Sequence, residues 1–320
     1  MPQGIPFYFS EGASRMNYYP SSYYRVKARA ALKGHWQTAL LITLIVNLPT
    51  LLVQGVTTFT GNDPLDWFQA LVISANRDGT MNREFLIREC TAFLTSTGFL
   101  VFQGLYLVAW LVTPCLALGM YKWLLDRLRG ADGPVNTVFC RVHWFFKAIG
   151  LQLLIILKVL LWALPGAALL FLAGLLIRPG AGAARYGTYE AMLLPLTIAA
   201  AIPAAIAALR YALAEYIMAE TPETGIRTCI RRSKELTQFC KKNLLLLLLS
   251  FFLMYLVIML VASFLSGLGS GVLSMMFQIF ADLALTLYMS CGIAAFYRRR
   301  VEDESAPKPK EEQKEEAVLS

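Results

Sequence analysis

Apolar residues in this chain come in six long runs, over residues 37–59, 95–121, 148–177, 191–214, 244–265 and 272–297, separated by segments in which charge returns. A helix rises 1.5 Å per residue, so about 20 apolar residues cross the ~30 Å hydrocarbon core of a bilayer. Each run reaches that length. The pattern predicts an all-α fold, a polytopic helical membrane protein of about six transmembrane helices filling residues 21–297. Pro49, Pro114 and the Pro165-Gly166 pair fall inside runs, where a bundle tolerates them as bends. Residues 1–20 lack the pattern and read as a disordered extension, with Met16 an alternative start to Met1. The 298–320 tail, RRRVEDESAPKPKEEQKEEAVLS, is charged and proline-containing and reads as disordered as well.

The segments between runs carry their own periodicity. In YYRVKARAALKGHW, which Ser21 and Ser22 can cap, Arg25, Arg29 and Lys33 recur every four residues and form one basic stripe. That stripe suits a helix lying on an anionic membrane surface, or an ordinary basic flank before a first span. In GPVNTVFCRVHWFFKAIG, Val135, Val138, Phe139, Val142, Phe145 and Phe146 fall on one helical face with Arg141 and Lys147 at its edge, which predicts an interfacial helix. Thr221 is placed to cap a helix with Pro222 at its first position and Glu223 behind it. That helix, 222–243, is amphipathic: Ile226, Ile230, Leu236 and Cys240 share one side, and Arg227, Arg231, Lys234, Lys241 and Lys242 supply the other. Residues 60–90 hold five acidic and three basic side chains and read as an extracytoplasmic loop with helical pieces. RPGAGAARYGTYE reads as a second outer loop. Ala200, Ala204, Ala208 and Ala212 make a small-residue stripe expected to pack inside the bundle.

Composition agrees with the pattern. Of 320 residues 57% are hydrophobic and 16% charged, with mean hydropathy +0.54; soluble domains carry about 25% charge. The net charge of +8 is explained by its distribution. Of 29 lysines and arginines, 23 fall in the N-terminal arm, 122–147, 210–242 and the tail, which alternate topology puts on one side. The positive-inside rule makes that side cytoplasmic, with both termini there. The basic excess is thus a topology signal and calls for no nucleic acid. The six cysteines stand singly, without the paired spacing of a disulfide framework or zinc site. No secretory leader pattern is evident in the first 20 residues.

Two ionisable residues lie within runs, where each costs roughly 2.5 to 3.5 kcal/mol to insert. Asp282, in QIFADLALTLY, and Lys158, in LIILKVLLW, have depths about one turn apart and are expected to approach each other. They read either as a substrate, ion or proton site, or as a buried structural pair. His35 and His143 sit in no HExxH or GxSxG context, so no catalytic residue, metal site or cofactor is expected. Arg210, at the end of the fourth run, is expected to snorkel to phosphates between Tyr211 and nearby Tyr216. The candidate contacts for anionic lipid or a partner are therefore Arg25, Arg29, Lys33, Arg210, Arg227, Arg231, Arg232, Lys234, Lys241 and Lys242.

IPAAIAALRYALAEYIMAETPETG, followed by SKEL and LSFF, resembles the bacterial integral-membrane family termed domain-of-unknown-function 975. VKARAALKGHW is similar to the family's opening element, and the Ala-Ala-Phe-Tyr ending at Tyr297 to its close. Ala204 stands where glycine is usual, Thr221 replaces the asparagine before Pro222, and the proline of a Trp-x-x-Pro-Tyr element near the last span is missing. The resemblance implies a polytopic protein of a bacterial cytoplasmic membrane, with no assigned activity and no site to carry over. The function expected is non-enzymatic action through lipid or protein contacts; the alternative is a small transporter or channel using Asp282 and Lys158.

Overall fold

The computed structural model describes residues 19–60, 83–176, 183–238, 240–269 and 271–305. The extension 1–18 and the tail beyond 305, both expected to be disordered, lie outside the described residues, as does most of the 60–90 loop. The helices are α1 (Ser21–Leu32), α2 (Trp36–Thr60), α3 (Arg83–Leu94), α4 (Thr97–Leu128), α5 (Phe145–Leu176), α6 (Ala183–Tyr211), α7 (Ala214–Glu220), α8 (Ile226–Thr237), α9 (Lys241–Gly267) and α10 (Gly271–Ser305), with a 3-10 helix at Val135–Trp144. Six of them, α2, α4, α5, α6, α9 and α10, are long and apolar enough to cross a membrane. The chain is a multi-pass membrane protein.

Neighbours in sequence pair as hairpins, α5 with α6 and α9 with α10. α4 joins them, packing on α2, α5, α7 and α10. Both described ends lie together, because Arg299 Nη2 donates to the Tyr19 hydroxyl at 2.7 Å. That end of the bundle is called the terminal face below. The apolar core gathers there: Leu32, Trp123, Leu124, Leu213, Met218, Leu244, Leu247 and Phe296 are all sealed. Elsewhere the long helices show apolar side chains outward, Val257 at 62% and Leu260 at 71% exposure. Such surfaces suit lipid, where burying a leucine against protein gains little over leaving it among acyl chains.

Backbones approach closely where side chains vanish. A Cβ on Gly119 of α4 would stand 2.7 Å from Val138 Cα in the 3-10 helix, and nearer still to its carbonyl. A Cβ on Gly166 of α5 would stand 3.1 Å from Ala200 Cα in α6. Gly34, at φ +81°, turns the chain from α1 into α2, a conformation that a Cβ penalises.

Several expectations need correction. The segment after Pro134 winds with three residues per turn, not 3.6. Residues 135, 138, 141 and 144 then share the inner side, so Arg141 turns inward while Phe139 and Val142 are exposed. The amphipathic helix starts at Ile226, not Pro222: Gly225 is its N-cap, and the Thr221 hydroxyl donates back to Ile217 O (3.0 Å), closing α7 instead. The tail stays helical to Ser305, because Arg298–Glu302 and Arg299–Asp303 pair one turn apart, both at 3.0 Å. α6 begins at Ala183, inside the expected loop. The alanine stripe is buried at Ala200 but exposed at Ala208, its inner line passing through Ala207 and Tyr211. Cys140 is exposed, whereas Cys115, Cys229, Cys240 and Cys291 are buried.

Candidate functional site

α1 lies on the bundle, not free on a surface. Tyr24, Ala28 and Leu32 are buried, with the Tyr24 ring 5.2 Å from Phe296 and Cys291 Sγ donating weakly to Ala28 O. Arg29 occupies the flank, where its Nε donates to the Tyr288 hydroxyl (3.0 Å) and that hydroxyl donates to Arg25 O (3.3 Å). Arg29, Lys33 and Trp36 border a groove of about 530 Å³ that Met254, Ile258, Ala281, Ala284 and Leu285 carry along α9 and α10. No acidic side chain lines it among the described residues. Two cations therefore face an apolar trough without a counter-charge. Arg25, the third member of the expected stripe, is half-buried outside the groove, its Nε without a hydrogen bond.

The stretch around α7 holds most of the buried polar chemistry, little of it announced by residue spacing. α6 stops at Tyr211, and Ser233 Oγ of α8 donates to Arg210 O (2.8 Å), satisfying a carbonyl in the last turn. The Arg210 guanidinium lies 5.4 Å from the Trp162 ring instead of reaching outward alone. In α7, Glu215 accepts a hydrogen bond from Tyr121, and the Tyr216 hydroxyl donates to Ser290 O (3.0 Å). Glu220 takes the Tyr297 hydroxyl at 2.6 Å and an ion pair from Arg129. Arg141 Nη2 reaches Ala219 O (3.0 Å) and Lys147 Nζ reaches Pro222 O (3.1 Å), cations at the negative end of a helix. Each side chain in this cluster has at least one partner within the fold, Arg141 through Nη2 and not Nε, so it works as a clamp. Tyr216 and Tyr297, each within a family-like segment, were the signal that could have exposed it.

α8 is amphipathic as expected, but its apolar side meets protein. Cys229, Ile230, Ser233, Leu236 and Thr237 are buried against the bundle, and burial pushes the Cys229 thiol above its usual range. Arg227, Arg231 and Lys234 stand exposed on the opposite side, Arg231 loosely facing Glu235 at 3.9 Å. Lys234 Nζ lies 5.7 Å from the Tyr211 ring. Arg232 differs, because both its Nη atoms grip Glu304 and tie the end of α10 to α8. Lys241 is half-buried at the start of α9, and Lys242 beside it is exposed.

A second cleft, about 280 Å³, holds Lys27, Arg127, Arg298, Arg299 and Glu302. Its guanidiniums are already used. Arg127 Nε donates to Ala31 O (3.2 Å) and Arg298 to Leu128 O, closing the carbonyl ends of α1 and α4. This cleft is a helix-capping junction.

The two intramembrane candidates are not brought together. Asp282 Oδ1 has no hydrogen-bond partner, and α5 and α10 are not a packed pair. Depth estimated from sequence carries no azimuth: the two hairpins meet through α6 and α9, which leaves α5 and α10 not packed on each other. Lys158 sits one turn from Trp162, the ring that carries Arg210, while Asp282 lies deeper in α10 with a buried Oδ1 that has no hydrogen bond. Neither residue lines the groove or the second cleft. No cluster of three or more metal-ligating side chains occurs among the described residues.

Comparison with protein families gives one match: the model of the family described as "Protein of unknown function (DUF975)" covers residues 16–304. The chain belongs to the DUF975 family. No curated protein and no solved structure matches it. As a DUF975 protein it has no assigned site, so the groove and the clamp rest on their own geometry. The matched span takes in both, from α1 through the pairs of Arg232 and Arg299 at the end of α10.

Proposed function

We propose that this DUF975 chain is a non-enzymatic protein of a bacterial cytoplasmic membrane, with both termini in the cytoplasm, that acts by gathering anionic lipid headgroups at its terminal face. One observation carries the reading. α8 spends its apolar side on the bundle and leaves Arg227, Arg231 and Lys234 exposed in a row. A basic helix so fixed attracts an anionic membrane surface by about 1 kcal/mol per cation near it. The bias of 23 out of 29 lysines and arginines to that side supports the orientation.

Spin-labelled phosphatidylglycerol and phosphatidylcholine in reconstituted vesicles measure the preference directly. Arg227→Gln/Arg231→Gln/Lys234→Gln should lower the selectivity for phosphatidylglycerol, and adding salt should lower it in the unaltered protein. Selectivity unchanged by both would refute the reading. Retention of a membrane-protein partner without lipid preference would favour protein contacts instead. A second reading, transport through Asp282, is favoured by its unpartnered Oδ1. It predicts a pH-dependent ion flux that Asp282→Asn abolishes, and equal flux in both proteins would end it.

A further inference from the structure

We infer that the groove between α1, α9 and α10 is a built site for one anionic glycerophospholipid, its phosphate on Arg29 and Lys33 and one acyl chain along Ile258, Ala281 and Leu285. The inference rests on the proposed lipid role of the terminal face and adds a specific, stoichiometric site to it. Three observations meet here. The first is charge. Arg29 is steadied through Nε by the Tyr288 hydroxyl, leaving both terminal nitrogens for an anion, while Lys33 has no partner among the described residues; no carboxylate among those residues lines the groove to offset either. Guanidinium and ammonium side by side are a recurrent way to hold phosphate.

The second is depth. α9 and α10 are in register through Ser274 Oγ to Ala262 O (2.7 Å) and the Phe251 and Tyr288 rings at 5.2 Å. Counting about 20 residues (~30 Å) from the far end of α9 at Gly267 arrives within about one turn of Phe251. Arg29 and Tyr288 therefore sit where hydrocarbon gives way to headgroups, with Trp36 beside them in an interfacial position. Ala281 and Ile258, each seven residues from Tyr288 and Phe251, lie about two turns deeper.

The third is shape. Ala281 and Ala284 present only methyl groups, so the trough is open where larger residues would close it, and about 530 Å³ lies within the range of small-ligand sites. Its apolar lining is exposed at Trp36 (38%) and Met254 (37%), so it opens sideways toward lipid. That direction selects a membrane lipid over a soluble phosphate, which would need no apolar trough.

Phosphatidylglycerol bearing a photoreactive diazirine in one acyl chain, incorporated with the full-length protein in nanodiscs, tests the site. Illumination should label α9 or α10 near Ile258 and Leu285. Lys33→Gln, which breaks no side-chain hydrogen bond or ion pair among the described residues, should reduce labelling by about tenfold, the equivalent of one charge-assisted contact. Ala284→Trp should reduce it as far by filling the trough while leaving both cations in place. Excess sn-glycerol 3-phosphate should not compete. The inference is overturned if labelling survives both variants, if only Lys33→Gln matters, or if glycerol phosphate competes as well as the lipid. The α8 triple variant should leave this labelling intact while losing general headgroup selectivity, which separates failure of the groove from failure of the wider role.

Discussion

Replacing Gly119 by alanine tests how the 3-10 helix is held. The new methyl carbon would stand 2.7 Å from Val138 Cα, against 3.4 Å for ordinary contact, so one backbone must retreat by at least 0.7 Å (3.4 less 2.7). Neither partner is a flexible side chain, and relief must come from shifting α4 against the whole 3-10 segment. Overpacking of this kind costs about 1 to 3 kcal/mol. The shift also pulls Arg141 from Ala219 O, a charged hydrogen bond worth roughly 1.5 to 3 kcal/mol. Better helix propensity returns about 1 kcal/mol. The net loss expected is roughly 1.5 to 5 kcal/mol. With an unfolding entropy near 2.1 cal/mol/K per residue, 3 kcal/mol over 320 residues lowers the midpoint by about 4 to 5 °C. Gly104→Ala, where nothing lies within 4 Å of the new carbon, is the internal control and should melt at or slightly above the unaltered protein. Thermal melts of the three proteins in one detergent decide the matter. If Gly119→Ala melts with Gly104→Ala, the close packing of α4 on the 3-10 helix is wrong.

Tyr297→Phe should cost about 1 to 2 kcal/mol in the same melts, because the 2.6 Å hydrogen bond to Glu220 is lost; Arg129→Gln should cost less, since that side chain is 43% exposed. Equal effects would mean that Glu220 is held chiefly by its ion pair. Glu304→Gln should free the end of α10 from Arg232 and speed proteolysis at residues 298–300, and unchanged cleavage would show the pair to be idle. Burial of Tyr24, outside the spans, raises its phenol well above the ordinary value of 10.0. The folded state then holds a proton that the unfolded chain releases, so this group's stability is intact below about pH 10 and falls as pH rises beyond it. Tyr24→Phe should flatten that alkaline loss, and identical pH profiles would contradict it.

The long helices were legible because their signal is one-dimensional: twenty apolar residues in a row need a membrane wherever their neighbours are. The amphipathic faces of α1 and α8 were legible for the same reason. What escaped depends on meetings between distant residues. Tyr297 reaching Glu220, Arg141 reaching Ala219 and Ser233 closing α6 at Arg210 have no spacing that announces them. Gly119 looked like any helix glycine until the 3-10 carbonyls lay on it. Lys158 and Asp282 show the opposite failure, similar estimated depth without adjacency. The groove lay between these cases. Arg29 and Lys33 were legible as a stripe, but the trough under them is made by α9 and α10.

A terminal face that holds anionic lipid should keep it when the protein leaves the membrane. Gentle extraction from the native membrane, followed by mass measurement of the lipids that remain bound, reads this out. Phosphatidylglycerol or another anionic glycerophospholipid should be enriched over the surrounding membrane, with at least one molecule per chain retained through washing and lost in Lys33→Gln. Bound lipid of the same composition as the bulk membrane, in both proteins, would contradict it.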